Sequence, residues 1–176
     1  MASAPVLPLV PVEQYLKTDY EPHCEYLDGE LLPKSLPDYI HSKLQKLLIV
    51  LLAQHAVEGL AELHTRISPR RYRIPDVCGL VQRPADGRYP DRDTPPLFTI
   101  EIASRDEPWF VLRGKVADHL AIGVEMVIIA NPYDHTVMVA TQTEPVHEIA
   151  PPLVVRIAVP NAADLLIDFD ELFRQL

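Results

Sequence analysis

The feature that most restricts the fold of this chain is a seven-residue apolar run with one carboxylate inside it. Residues 97–103 read Leu-Phe-Thr-Ile-Glu-Ile-Ala. A continuous apolar run of this length, with loop residues before it, is typical of a central strand covered on both faces. An ionised carboxylate in such a strand is costly unless it is paired or bound to a cation. Glu101 therefore requires a partner, and the ordinary interpretation is that a cationic side chain forms a structural ion pair with it.

The sequence pattern around this run predicts a series of strands and helices. Asp28-Gly29 lies between two short alternating runs and predicts a hairpin. Residues 37–57 have the apolar spacing of a long amphipathic helix, with Gly59 just past its end. The other predicted elements are a short helix over 12–17, a β-rich stretch over 66–82 broken at Pro75, a helix over 106–122, strands over 124–130, 136–141 and 153–159, and a closing helix over 168–175. The order predicts an α/β fold of mixed α+β type, in which helices flank a mixed β-sheet.

Length and composition limit the organisation of the chain and its partners. The 176 residues are enough for one domain and too few for two ordinary ones, so we expect a flexible N-terminal arm over 1–12 and a single domain over 13–176. The formal net charge of -9 excludes a histone-like DNA binder, and any nucleic acid must be held by a local basic patch. No apolar run reaches the roughly 18 residues of a bilayer span, so we expect a cytoplasmic protein without a membrane partner.

A second carboxylate changes the interpretation of Glu101. Asp76 follows Pro75 at the predicted bend, 25 positions before Glu101. Adjacent strands can bring the two carboxylates together, and two carboxylates at one point repel each other unless a hard cation lies between them. Mg²⁺ is commonly held by one or two carboxylates together with water and substrate phosphate, and Mn²⁺ prefers similar ligands. Asp76 and Glu101 are therefore predicted to be ligands of Mg²⁺ or Mn²⁺.

The ordered set of motifs resembles a known family. Pro75-Asp76, followed by Glu101 in an apolar strand, resembles the PD-(D/E)XK nuclease pattern. Further segments recur in a characteristic order: residues 26–31, His41, residues 71–77, residues 100–104, Lys115 with Gly123-Val124, and residues 128–132. With this ordered set, the chain is similar to the Uma2 family of that superfamily over nearly its whole length. The resemblance implies a restriction-endonuclease-like core and a Mg²⁺-dependent endonuclease that hydrolyses phosphodiester bonds of nucleic acid, with DNA as the expected substrate.

The resemblance also implies further site residues. The PD-(D/E)XK motif places a lysine two residues after the glutamate, where this chain has Ala103, and the family resemblance assigns that role to Lys115 on the next helix. Without the resemblance, Lys115 reads as an ordinary solvated cation. Glu30 on the hairpin is an additional candidate for the metal, with Glu25 ranked below it, and His41 is a candidate for phosphate. His119 stands where the family usually has an aromatic residue, and we expect it not to touch the two carboxylates.

A basic segment is the candidate contact with nucleic acid. Seven arginines and three aspartates lie between positions 66 and 92 of this acidic chain. Because the arginine fork suits phosphate oxygens, we predict that Arg70, Arg71 and Arg73 bind nucleic acid beside Asp76. The alternative is that these arginines pair with the excess carboxylates elsewhere.

Two other functions compete with the endonuclease. One is a catalytically weak or inert binding module that keeps the nuclease fold, since Ala103 replaces the motif lysine. The other is a metal-dependent hydrolase of a small phosphorylated substrate. Arginines lining a cleft beside Asp76 would favour nucleic acid, and cutting both strands of a duplex would favour a homodimer.

Overall fold

The computed structural model describes residues 9–105 and 107–176, and these ranges contain four helices and twelve strands. Residues 1–8, which make up most of the predicted N-terminal arm, and Asp106 lie outside the described residues. The helices are α1 (Val12–Tyr15), α2 (Tyr39–Leu52), α3 (Trp109–Ala121) and α4 (Phe169–Arg174). The strands are β1 (Cys24–Leu27), β2 (Glu30–Pro33), β3 (Glu58–Ala61), β4 (Thr65–Ser68), β5 (Arg71–Arg73), β6 (Val77–Leu80), β7 (Phe98–Ile102), β8 (Met126–Asn131), β9 (Thr136–Thr141), β10 (His147–Glu148), β11 (Val154–Ile157) and β12 (Leu165–Asp168).

The strands form one large mixed sheet and two smaller sheets. The six-stranded sheet has the order β10-β9-β8-β7-β6-β3, and the four-stranded sheet has the order β2-β1-β5-β4. Strands β7 and β8 are parallel and are connected through α3, whereas their other neighbours are antiparallel. Strands β11 and β12 pair separately. The predicted mixed sheet with flanking helices is confirmed. No helix among the described residues combines the length and hydropathy of a bilayer span.

Strand β7 is buried along its whole length, as the apolar run predicts. Side chains alternate across a strand, so consecutive residues of β7 contribute to different faces of the sheet. Ile100 and Ile102 pack in the core that contains Leu44 and Leu48 of α2. Glu101 points to the opposite face, where α3 lies. The alternation therefore directs one buried carboxylate toward a helix.

The Asp28-Gly29 hairpin is confirmed. Asp28 has φ of 54° and Gly29 has φ of 110°, and Leu27 pairs with Glu30 across this two-residue loop. Positive φ at both central residues is the backbone conformation of a tight hairpin turn, and Gly adopts it without strain.

Several element boundaries differ by one to three residues from the sequence expectation, and two segments differ more. Helix α2 ends at Leu52, and Gly59 lies in β3 opposite Gly79 of β6. A side-chain carbon on Gly59 would lie 2.6 Å from the Cβ atom of Leu52, so this glycine permits a close approach of strand and helix. The stretch 66–82 is divided among β4 and β5 of the small sheet and β6 of the large sheet. The Pro75 break is the crossing between these two sheets, which a single-strand interpretation could not show.

The packing around Gly79 gives a stability prediction. A Cβ atom at Gly79 would lie 2.2 Å from Phe98 Cε1 and 2.8 Å from Val57 Cγ1. We expect Gly79→Ala to lower the free energy of unfolding by at least about 1–3 kcal/mol through overpacking. The control is Gly114→Ala in α3, where the nearest neighbour of a Cβ atom would be the Arg73 guanidinium at 3.6 Å. Because Ala is a better helix former, the control should be neutral or stabilising by up to about 1 kcal/mol. Equal urea midpoints for Gly79→Ala and the unmodified protein would contradict this packing.

Candidate active site

A cleft of about 210 Å³ opens between the end of β7, the start of α3 and the segment that follows β2. Asp76 lies just after the Pro75 break, and Glu101 lies within β7. Val77 pairs with Ile100 in the antiparallel β6–β7 ladder, which places Asp76 and Glu101 at adjoining positions of neighbouring strands. The lining of the cleft includes Asp76 and Lys115. The structure thus brings together the two carboxylates and the lysine that the sequence singles out.

The Asp76 carboxylate is held by three groups. Lys34 Nζ donates to Oδ1 at 2.8 Å, and the backbone N–H of Ile102 donates to Oδ2 at 2.7 Å. His41 Nε2 lies 3.5 Å from Oδ2. Burial acts to raise the pKa of Asp76, but Lys34 and His41 outweigh it and hold the pKa well below its ordinary value. Asp76 is therefore an ionised carboxylate with a built-in counter-charge.

Glu101 has a similar set of partners on the other strand. Glu101 is fully buried, with 0% exposure. Lys115 Nζ donates to Oε2 at 3.1 Å, and His119 Nε2 lies 3.3 Å from Oε1. Burial acts to raise the pKa of Glu101, whereas Lys115 and His119 lower it, and the net pKa lies below the ordinary value. The expectation that His119 does not touch the carboxylates is wrong, because His119 lies one helical turn after Lys115 on the same face of α3.

Each site carboxylate thus has one lysine and one histidine as partners. Lys115 Nζ also donates to Glu107 at 2.8 Å. Burial acts to lower the pKa of Lys115, but Glu101, Glu25 and Glu107 outweigh it and raise the pKa above its ordinary value. The buried Nδ1 atoms of His41 and His119 have no hydrogen-bond partner among the described residues. Both lysines are charged at neutral pH, and both histidines keep one ring nitrogen without a partner.

The donor set fits a hard divalent cation. No group of three or more His, Cys, Asp or Glu side chains in residues 9–105 and 107–176 is already arranged to hold a metal ion. Mg²⁺, however, usually retains several waters and takes only one or two carboxylates from the protein. Asp76, Glu101 and Glu107 carry three negative charges against the two of Lys34 and Lys115, so this cluster has an excess of negative charge. Asp76 and Glu101 therefore have the chemistry to hold Mg²⁺ or Mn²⁺.

The predicted phosphate-binding arginines lie elsewhere. Arg73 is buried, and its guanidinium donates to Glu25 at 2.6 Å and to Asp118 at 2.7 Å. Arg71 donates at 2.8 Å to Asp118 and to Asp28. Among the described residues, the cleft lining includes neither of these arginines, nor Arg70. Arg71 and Arg73 form internal ion pairs, which is the alternative that the sequence left open. Binding a phosphate would break these pairs and leave the buried carboxylates of Glu25 and Asp118 uncompensated. Arg70 is exposed and donates to the Asp28 carbonyl at 2.9 Å.

The sequence expectation ranked Glu30 above Glu25 as a site candidate, but Glu25 is the hairpin glutamate that lines the cleft. Glu25 is buried and lines the cleft, where Arg73 and the Ile74 N–H occupy its carboxylate. Glu30 is exposed at the first residue of β2, beside the turn. It stands two residues before Leu32, the first β2 residue that reaches the cleft. The turn end of a hairpin projects away from the sheet, which explains the exposure of Glu30.

Sequence reasoning missed two cleft residues, Lys34 and Glu107. Lys34 follows β2 and also donates to the Ile74 carbonyl at 2.9 Å, so its position depends on how the small sheet packs at the Pro75 break. No local spacing predicts that contact. Glu107 lies eight positions before Lys115, ahead of α3, and this spacing is not one that places side chains together on a helix, although the Lys115 ammonium donates to Glu107. The contact of His119 with Glu101 could have been predicted, because Lys115 and His119 are spaced at i and i+4 and so lie on the same face of α3.

Comparison with known proteins identifies the class of this fold. The crystal structure of a protein from Anabaena variabilis, described as "a putative nuclease", is similar to this chain with a TM-score of 0.76 and 22% sequence identity. The match covers 94% of this chain and 98% of that protein, so the two share a fold. No curated protein matches the chain at a significant level.

The family assignment rests on the sequence itself. The Uma2 family model, described as "Putative restriction endonuclease", matches residues 12–158. The chain therefore belongs to the Uma2 family. The matched range contains Asp76, Glu101 and Lys115, and it leaves β12 and α4 outside.

The Lys34–Asp76 pair predicts a pH-dependent stability effect. Because the pKa of Asp76 is lowered in the folded protein, its contribution to stability is present above about pH 4 and is lost as the pH falls through the folded-state pKa. Lys34→Met leaves a buried carboxylate with less compensation and should cost about 3–5 kcal/mol at pH 7. The deficit should shrink as the pH falls below about 4, because Asp76 is then protonated in the unfolded chain and, without Lys34, in the folded variant as well. Lys46→Met, at an exposed position of α2, is the control. A deficit that does not change between pH 7 and pH 3, measured by denaturant unfolding, would contradict the assignment.

The arginine network predicts a different outcome for two neighbouring residues. Arg73→Gln removes the shared partner of two buried carboxylates, Glu25 and Asp118, and should lower the free energy of unfolding by about 3–5 kcal/mol. Arg70→Gln, at an exposed position, should change it by no more than about 0.5 kcal/mol. Urea unfolding of both variants at neutral pH measures the difference. Equal stabilities would show that Arg73 has no structural role.

Proposed function

We propose that this protein is a metal-dependent nuclease that hydrolyses phosphodiester bonds of nucleic acid, with its catalytic domain over residues 13–176. The observation that carries the proposal is a cluster of two ionised carboxylates from adjoining strand positions with two charged lysines: Asp76 and both lysines line the cleft, and Glu101 lies buried behind Lys115. Membership of the Uma2 family supports the same reaction. We propose Mg²⁺ or Mn²⁺ as the cofactor and DNA as the preferred nucleic acid.

In this proposal Asp76 and Glu101 hold the metal. When bound, the metal would polarise the scissile phosphate and lower the pKa of a coordinated water. His119 orients the Glu101 carboxylate from α3, and His41 orients the Asp76 carboxylate from α2. Lys34 supplies the counter-charge that keeps Asp76 ionised inside the protein. Together with Lys115, these three partners keep both carboxylates charged, as metal ligation requires.

Lys115 is the proposed electrostatic catalyst. Its ammonium lies between Glu101 and Glu107 and lines the cleft. A fixed ammonium in a water-poor site stabilises negative charge that develops on a phosphate oxygen during hydrolysis. Ala103 leaves the usual motif position without a lysine, and Lys115 reaches the same carboxylate from the next helix. Arg71 and Arg73 belong to the internal network and are not part of the proposed contact with nucleic acid, and Glu30 stands apart from the cleft.

One observation favours the rival function, an inert nuclease-fold binding module. All four carboxylate oxygens of Asp76 and Glu101 already contact a donor or a histidine ring nitrogen of the protein. A metal must compete with these contacts. If the lysines outcompete it, the cleft binds no metal and performs no hydrolysis.

Cleavage by the Lys115→Met variant separates the two functions. The unmodified protein should cut DNA or RNA oligonucleotides in the presence of Mg²⁺ or Mn²⁺ and should lose this activity in EDTA. Lys115→Met should reduce the rate by about 10²–10³, the effect of removing one preorganised group that stabilises the transition state. Calorimetry should show that the variant still binds metal, because Asp76 and Glu101 remain.

The control for this experiment is Lys46→Met, which removes an exposed lysine from α2. It should retain the activity of the unmodified protein. Absence of both metal binding and cleavage in the unmodified protein would favour the inert module. Cleavage that survives Lys115→Met unchanged would remove this lysine from the mechanism.

A further inference from the structure

A second cleft adjoins the candidate active site. It has a volume of about 270 Å³ and is lined by Ser35, Leu36, Asp38, Ser104, Arg105 and Tyr133. Ser35 and Ser104 also line the cleft of Asp76 and Lys115. The two clefts therefore form one continuous surface, and a chain-like substrate with a phosphate at the carboxylates would extend into the second cleft.

An arginine stacked on a tyrosine dominates this second cleft. The Arg105 guanidinium carbon lies 4.3 Å from the centre of the Tyr133 ring, and Arg105 Nε lies 3.6 Å from the Asp38 carboxylate. Arg105 follows β7 and Tyr133 follows β8, so the parallel pairing of these strands brings the two residues to the same edge of the sheet. The pair is a direct consequence of the topology that also places Glu101.

The exposure of Arg105 distinguishes it from the arginines of the internal network. Its side chain is 62% exposed, whereas the Arg73 side chain is 5% exposed and lies between two carboxylates. Asp38 does not depend on Arg105 alone, because its side chain also caps α2 by accepting the His41 N–H at 2.9 Å. The guanidinium of Arg105 can therefore turn its outer nitrogens toward a phosphate without leaving a buried charge behind.

The exposed apolar surface beside Arg105 fits a nucleobase. Leu36 is 79% exposed and lines the same cleft. Unpaired bases stack on aromatic rings and on planar guanidinium groups, and apolar side chains cover the edges of such stacks. The cleft thus holds a guanidinium that can bind phosphate, a flat surface for stacking and an exposed leucine. Together these groups suit the phosphate and the base of one nucleotide.

We infer that the Arg105–Tyr133 pair is a subsite for the nucleotide next to the scissile phosphate, and that this nucleotide is unpaired. The inference rests on the proposed nuclease function. Arg105 binds the phosphate of this nucleotide, and its base stacks on the arginine–tyrosine pair. In a duplex both faces of a base are already stacked on neighbours, so the subsite selects single-stranded or locally unpaired nucleic acid.

Oligonucleotide binding tests the subsite separately from catalysis. Fluorescence anisotropy in EDTA measures the affinity of the full chain for a short labelled single strand and for the matching duplex. Tyr133→Ala should raise the Kd for the single strand about five- to a hundredfold, the range found for loss of one base-stacking contact. Arg105→Gln should also weaken binding, and it should reduce the log–log salt slope by about 0.7, the contribution of one phosphate on a single strand.

Two further variants make the result specific. Arg113→Gln removes an exposed arginine of α3 that lines a different cleft, and it should leave the Kd unchanged. Tyr133→Phe keeps the ring and should retain the affinity if stacking is the contact. Unfolding midpoints of all variants should match that of the unmodified protein, since Arg105 and Tyr133 lie outside the hydrophobic cores.

The outcomes separate failure of the subsite from failure of the proposed function. Tighter binding of the single strand, lost with Arg105→Gln and with Tyr133→Ala, supports the subsite. Oligonucleotide binding that is indifferent to both variants, or equally tight for duplex, overturns the subsite and leaves the nuclease proposal standing. No oligonucleotide binding by the unmodified protein at low salt, both in EDTA and with Ca²⁺ as a non-cleaving cation, overturns both.

Discussion

The compensation of Glu101 inside β7 is the constraint on which the rest of the site depends. A carboxylate at 0% exposure is tolerated only with close cationic partners, and α3 supplies Lys115 and His119 on one face. That requirement fixes the rotation of α3 against the sheet. The β6–β7 register places Asp76 beside Glu101, so Asp76 belongs to the same electrostatic cluster.

The same compensation shapes the chemistry. Lysines keep Asp76 and Glu101 ionised and therefore ready for a cation, but they also compete with that cation for the carboxylate oxygens. A substrate phosphate brings negative charge of its own and offers the lysines a new partner. Metal and phosphate binding should therefore support each other, since each removes a competitor of the other. The excess of carboxylates in the cluster favours this exchange.

Local patterns in the sequence predict a large part of this arrangement. The apolar run around Glu101, the Asp28-Gly29 hairpin and the break at Pro75 are encoded in neighbouring residues, and the structure has all three. Contacts between distant segments are not encoded locally. The Lys34–Asp76 pair spans 42 positions and the Arg73–Glu25 pair spans 48. The arginines around Asp76 therefore suggested a phosphate site, although Arg71 and Arg73 neutralise carboxylates that β1, the hairpin turn and α3 bring to them.

The most direct test of the central claim is a crystal of the unmodified protein soaked in Mn²⁺, with anomalous scattering used to locate the metal. We expect one anomalous peak between the carboxylates of Asp76 and Glu101, with Lys34 moved away from Asp76 Oδ1. Glu101→Gln crystals treated in the same way should show a weaker peak or none. An ion bound only elsewhere on the chain, or no peak while both lysine–carboxylate pairs remain intact, would contradict the claim that this cleft is a metal-dependent catalytic site.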